Sequence, residues 1–468
     1  MGLDAAPVAS RAPGGAARLG ERIPSWLPTL LVAVGAYVFV LVASGSGWIN
    51  AYWYGVIQMA VVAAVSALGL NLIYGFNGQF SLGHVGFYAI GAYTSALISK
   101  DFVSQWSGGP LLALSWIIAG QLGVLAILFL VSRMRIGAVR DSLGAWLSAR
   151  MASHEVWPIQ ALVSIGMVGV ALAGGVLVTW VLRMALLPVL NAVLLNLPEA
   201  IAQQLVFFLA LVNGASLAAL VAYLVGLPLL RLNSDYLGIA TLGFAIMVYT
   251  ALQNSDQVIA TMKGARGMVA IPRWTTWTWG FGALVLVVIV MRNIIHSSFG
   301  RGIVSIREDE IAAKTMGIDV ARLKALAFAT GAFFAGIAGG LYAHLYGFLH
   351  PSTFNFVKGF DPMIIIVFGG LGSMTGTLMA SGLFVLIIEG LRVVLPQGFE
   401  DWRFVIYPIL LLLIMLLRQE GLLGTREWGW LKAPVPRRAA GAPQADPEGL
   451  PVTATGAGAI GEEGAQHA

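Results

Sequence analysis

The sequence predicts an all-α protein, a polytopic transmembrane helical bundle of about 10 spans that includes a broken or re-entrant helix near 360–376. Three observations predict it. Of the 468 residues, 58% are hydrophobic and 10% are charged, whereas soluble domains carry about 25% charged residues. The apolar residues form runs long enough to cross hydrocarbon, which takes ~20 residues per helix. Charge is concentrated between those runs, above all from Arg301 to Ala325. The net charge of +5 suits an anionic inner membrane surface better than nucleic acid. Without cysteine, disulfides and thiolate metal sites are excluded.

Residues 1–25 are small, polar and basic, with Arg11, Arg18 and Arg22 against Asp4 and Glu21. They are expected to form a cytoplasmic N-terminal tail, followed by an uncleaved first span near Leu27 to Ala43. Trp48, Tyr52, Trp53 and Tyr54 then read as an aromatic belt at the outer interface. The second span, Val56 to Tyr74, contains Asn71 and ends in the turn Gly75-Phe-Asn-Gly78. Gln79-Phe-Ser-Leu-Gly-His84 leads into the next helix, with Ser81 as a candidate N-cap. A helix that starts at membrane depth can turn its free N–H groups toward a polar substrate. Gln79, Ser81 and His84 either serve that purpose or cap the helix and satisfy one another in a packed bundle.

A fourth span covers Leu111 to Val131. In Arg133 to Pro158, Ile136, Val139, Leu143, Trp146, Leu147 and Met151 recur at helical spacing among arginines. This segment (133–158) is expected on the cytoplasmic side, as an amphipathic surface helix or a plain linker. A span from Ile159 to Met184 returns outward, and Leu186 to Glu199 is expected to be an outer connection. The span Ile201 to Leu227 follows. In the next helix, Thr241-Leu-Gly243 faintly echoes Ser81-Leu-Gly83, which makes Thr241 a further candidate for the substrate path. Trp274, Trp277 and Trp279 mark the outer interface again before a span that ends near Ile295.

The charged stretch 301–325 carries five basic and four acidic side chains and belongs in water. Glu308, Asp309 and Glu310 crowd a helix start, where acidic groups meet the positive end of the dipole. Gly317 is a natural helix stop. Tied at both ends to membrane helices, such a segment can pass force from a soluble partner to the membrane body.

Beyond it, Ala332, Gly336 and Gly340 form a small-residue stripe that admits a close helix neighbour. The cluster Phe368-Gly-Gly-Leu-Gly-Ser-Met-Thr-Gly376 lacks the Gly-Lys-Ser/Thr of a phosphate loop, and Gly372 and Gly376 are read as the break and packing of a re-entrant helix. Two passes meeting near Gly372, with a last span from Trp402 to Leu417, bring the basic C-terminal residues to the cytoplasm. The transmembrane domain therefore runs 26–418, followed by a cytoplasmic, largely disordered tail, 419–468. Glu389 and Arg392, spaced i, i+3, are read as a pair near the outer end of their helix. The six histidines are scattered without ligand spacing.

Several ordered blocks carry a resemblance. Ala67-Leu-Gly-Leu-Asn-Leu72, Gly78 to His84, Gly91-Ala-Tyr93, Leu230 to Phe244, Ser305 to Gly317, Phe368 to Gly376 and Glu420-Gly-Leu-Leu-Gly424 together resemble M-type permease subunits of branched-chain amino-acid ABC transporters. The resemblance covers about 53–131 and 200–424. It implies an importer subunit in the bacterial inner membrane, paired with a second permease, served by a soluble binding protein and driven by two ATPase subunits that bind the ATP. No catalysis and no cofactor are expected in this chain. The resemblance makes 306–317 the coupling element, with Arg307, Glu308, Asp309, Glu310, Ala312, Ala313 and Gly317 contacting or shaping the ATPase contact. Two departures stand out: residues 133–199 are longer than the family pattern, and Ile311 interrupts the Glu-Ala-Ala form of the coupling motif. A urea permease is the nearest alternative, and a stand-alone secondary transporter or channel is the alternative of another class.

Overall fold

Hydrocarbon tolerates a backbone only when its polar groups are bonded within the segment, and helices supply nearly all of this structure. The structure is a computed structural model and describes residues 26–105, 112–133, 153–230 and 234–396, with isolated positions from 406 to 431. The expected N-terminal tail, most of the 133–158 segment, most of the last span and the tail beyond 431 lie outside these residues. Thirteen α-helices are described: α1 Trp26–Gly45, α2 Ala51–Leu70, α3 His84–Gln105, α4 Leu112–Arg133, α5 Ser153–Leu195, α6 Glu199–Leu229, α7 Ser234–Gln253, α8 Trp277–His296, α9 Ser298–Glu308, α10 Glu310–Thr315, α11 Val320–Tyr346, α12 Phe360–Gly369 and α13 Met374–Val394. Among the described residues eight helical segments are long and apolar enough to cross a membrane. No strand is described beyond the isolated bridge Met268–Leu349. The all-α polytopic bundle predicted from composition is the observed fold class.

The core is the packing of α2, α3, α6 and α11, and it is built on small residues. In lipid there is little hydrophobic gain from helix association, so close van der Waals contact must supply the attraction. A Cβ added at Gly336 of α11 would lie 2.6 Å from Ala215 Cα of α6, and one added at Gly214 would lie 2.7 Å from the Gly91 carbonyl oxygen of α3. Gly91 in turn abuts the Gly336 backbone. The register continues along the helices. Gly340 packs on Ser95 and Leu211, and one turn later His344 Nε2 meets Ser99 Oγ at 2.7 Å. Hence α11 runs parallel to α3 and antiparallel to α6. By contrast, Val176, Leu177, Trp180 and Val181 of α5 are exposed, a face suited to lipid.

Two expectations about helix limits are corrected. The connection expected at 186–199 is mostly helix: α5 has 43 residues, about 65 Å at 1.5 Å per residue, because Leu186 to Leu195 is apolar but for Asn191 and the helix stops only at Asn196-Leu-Pro198. The tail does not begin cleanly at 419. Gly421 packs on Gly370, Leu422 N–H donates to Phe368 O at 2.8 Å, and Leu431 is buried with its carbonyl 2.9 Å from His296 Nε2.

Candidate functional site

The charged stretch folds as two short helices at an angle set by Asp309. Ser297 caps α9, its hydroxyl accepting from Gly300 N–H at 3.1 Å. Ile303 and Ile306 are buried while Arg301 and Glu308 face out, the amphipathic pattern of a helix lying on a surface. Asp309 leaves helical geometry (φ −156°, ψ 110°) and its carboxylate accepts from Ile311 and Ala312 N–H at 2.8 and 3.0 Å. A single helix start at 308–310 is thereby corrected: Glu308 closes α9, Asp309 is the cap and Glu310 opens α10. Glu310 also bonds Lys324 of α11 at 2.6 Å. Gly317 turns the chain at φ 82°, a conformation in which a side chain is strained. Ala313 is buried and Ala312 exposed. The most exposed apolar side chains of the unit are Ile311 and Met316, at 77% and 82%.

Arg307 turns inward. Its Nη1 donates to Gly75 O at 2.7 Å, its stem covers Gly78, and its guanidinium lies beside Gly372. Gly75 belongs to a π-helical turn, Asn71–Phe76, that ends α2. Gly372 belongs to the break between α12 and α13, where Gly370 and Gly372 take φ 111° and 80°. Gly369 and Gly376 meet backbone to backbone across this hairpin. Asn71 joins the two features: its Nδ2 donates to Ser373 O and Thr377 Oγ1, both at 2.9 Å, and its Oδ1 accepts from Gly372 N–H at 3.0 Å. The start of α13 is capped twice. Ser373 Oγ accepts from Gly376 N–H at 3.0 Å. The Glu427 carboxylate accepts from Met374 and Thr375 N–H at 2.6 and 3.1 Å and from Thr375 Oγ1.

The remaining path candidates surround the segment that leads into α3. Ser81 does not cap that helix, which starts at His84; its hydroxyl accepts from Gly83 N–H at 3.4 Å. Thr241 of α7 accepts from Leu82 N–H at 3.0 Å and donates to Gly238 O at 2.9 Å. Gln79 is buried, and neither end of its amide has a partner. The His84 ring packs by Gly69, with Nε2 2.9 Å from Ser66 O. No group of three or more His, Cys, Asp or Glu suited to a metal occurs among the described residues.

Comparison with known proteins decides the family. A family model described as the branched-chain amino acid transport system permease component matches residues 54–415. The chain belongs to that family. It is similar to the high-affinity branched-chain amino acid transport system permease protein LivM of Salmonella typhimurium, with 27% identity over 85% of this chain and 74% of the relative. It is 32% identical to LivM of Escherichia coli K12 over 46% of this chain and 57% of the relative. The high-affinity branched-chain amino acid transport system permease protein LivH of Salmonella typhimurium matches at 26% identity over 59% of this chain and 85% of the relative. No solved structure matches.

For this branched-chain permease, sequence reasoning overlooked three side chains. Ile311 reads as an interruption of the coupling motif, yet the structure leaves it exposed on α10, as it does Met316 just after that helix. Two large apolar residues between the acids at 308–310 and Gly317 were the available signal. Glu427 gives no local signal, since the groups it caps lie 52 and 53 residues earlier.

Proposed function

We propose that this permease is the M-type membrane subunit of an ATP-driven importer in the bacterial inner membrane, forming with a second, LivH-like permease the route for branched-chain amino acids. A soluble binding protein delivers the amino acid at the outer face, and two ATPase subunits dock at the cytoplasmic face. Both termini, α9 and α10 are cytoplasmic. The chain itself transports and does no covalent chemistry.

The observation that carries the coupling assignment is the exposure of Ile311 and Met316 on a short helix braced from behind by Asp309, Ala313 and the Glu310–Lys324 pair. Exposed apolar anchors among charges are what a protein groove binds. A cleft of ≈ 560 Å³ between α9 and the start of α11, lined by Phe299, Arg301, Asp319 and Arg322 among others, offers room for a partner side chain. Arg307 supports the same reading, because it ties α9 to the break of the α12–α13 hairpin. The stand-alone transporter alternative is not favoured: Glu389, the carboxylate it would call on, is held by Arg392 at 3.6 Å and Tyr52 at 2.7 Å.

The test is Ile311→Asp with Met316→Asp, each in the reconstituted complex. Burying a charge in the groove should cut ATPase co-purification at least about tenfold, as loss of one anchor does, while insertion and permease pairing persist. Wild-type co-purification and substrate-dependent ATP hydrolysis in both variants would refute the docking assignment.

A further inference from the structure

Buried polar groups are almost always hydrogen-bonded, so clustered exceptions call for a reason. Among the described residues, seven buried side-chain nitrogen or oxygen atoms have no hydrogen-bond partner: both amide atoms of Asn77, both of Gln79, His84 Nδ1, Tyr93 Oη and Arg183 Nε. Five of the seven lie between 77 and 84. Asn77, Gln79 and His84 are 2%, 3% and 1% exposed. The backbone around them is well satisfied: Gly78 and Gln79 N–H donate to Tyr74 O and Ile73 O, both at 3.0 Å, and Leu82 N–H donates to Thr241 Oγ1. Three of the loop's backbone N–H groups are thus bonded, while the side chains of Asn77 and Gln79 are not.

We propose that Asn77, Gln79 and His84 form a polar station for the charged head of the amino acid in transit, closed around its own unpaired groups in this conformation. The proposal rests on the transport reading above. An α-amino acid carries an ammonium that needs acceptors and a carboxylate that needs donors. The two amides supply both kinds. A carbonyl can only accept, so His84 Nε2 carries the proton toward Ser66 O and Nδ1 of the neutral ring is an acceptor. The first N–H groups of α3 start at the same place and favour a carboxylate. All three side chains bind without a formal charge, and a transport site must release what it holds. The station is also wired to the coupling end. Gly78, between the two amides, packs on Arg307, an added Cβ there lying 3.3 Å from Arg307 Cγ. Movement of α9 therefore moves this loop directly.

The test uses Gln79→Met and Asn77→Leu, which remove the polar atoms and keep nearly the same shape, in the complete transporter. Deleting unpaired polar groups should raise the melting temperature by about 2 °C. Leucine uptake should fall at least about fivefold, the factor carried by one hydrogen bond. Stimulation of ATP hydrolysis by leucine-loaded binding protein should persist, because docking is untouched. A lower melting temperature or failed folding in both variants would overturn the proposal, since it would mean that the amides are paired. So would undiminished uptake, and so would joint loss of uptake and stimulation, which would make the loop a coupling part only. Absence of leucine uptake by the wild-type complex would instead defeat the transport reading itself.

Discussion

The contact between Gly336 and Ala215 can be tested with one methyl group. Carbon atoms rest at about 3.5–4.0 Å, and a Cβ at Gly336 would sit 2.6 Å from Ala215 Cα, 3.1 Å from Ala218 Cβ and 3.2 Å from Ala215 N. Two of the three obstacles are backbone, which no rotamer change relieves, so α6 must retreat by about 1 Å. That retreat loosens Gly214 from Gly91 and Leu211 from Gly340 as well, and a gap of this size forfeits a quarter to a half of each contact. Overpacking costs about 1–3 kcal/mol, offset by roughly 1 kcal/mol of helix propensity for Gly→Ala. Gly336→Ala should therefore destabilise by up to about 2 kcal/mol, and Gly336→Leu by more. Gly282→Ala in α8 is the internal control: its added Cβ meets nothing within 4 Å, so propensity alone should leave it neutral or more stable. Thermal unfolding of the detergent-purified transporter reads the difference, an expected fall of about 4 °C for Gly336→Ala relative to Gly282→Ala. If the Gly336→Ala protein melts at or above the control, the close-packing account of the core is wrong.

Other changes probe the break, the bend and the orientation. Glu427→Ala should destabilise by about 2 kcal/mol through loss of a charged cap on two N–H groups, with Glu427→Gln intermediate, as read by thermal unfolding. Gly317→Val should cost about 1–3 kcal/mol of backbone strain and weaken ATPase association, whereas Gly317→Asn, which tolerates the left-handed region, should keep it; equal behaviour of the two would remove the conformational argument. In a chain without native cysteine, Met316→Cys should react with an impermeant thiol reagent in inside-out vesicles and stay unmodified from the periplasm. Labelling from the periplasm alone would reverse the assigned orientation.

Most of the architecture was legible because membrane spans announce themselves locally: apolar runs mark α2, α6, α8 and α11, and the glycines at 369–376 mark the hairpin break. Gly336 was likewise readable from its four-residue spacing with Ala332 and Gly340. Contacts between distant parts of the chain were not. The Asn71–Gly372 bond joins residues 301 positions apart, and nothing about an asparagine in an apolar helix names its partner. The kink at Asp309 was missed because three successive acids look alike on paper, while only one of them leaves helical geometry. The reach of α5 to Leu195 was missed because Arg183, Pro188 and Asn191 interrupt the apolar run, although a helix can absorb a proline within a membrane.

The position of Glu427 has a consequence for how the chain is made. Everything it secures, the N–H groups of Met374 and Thr375 and the hydroxyl of Thr375, leaves the ribosome some fifty residues before it does. The hairpin must therefore enter the membrane with this end of α13 held by Ser373 and Asn71 alone, and its final fastening waits for the last stretch of translation. A chain cut short after 420 would insert all the helices described here and still hold an unfinished hairpin, recognisable to quality control as nearly complete but loose at its centre.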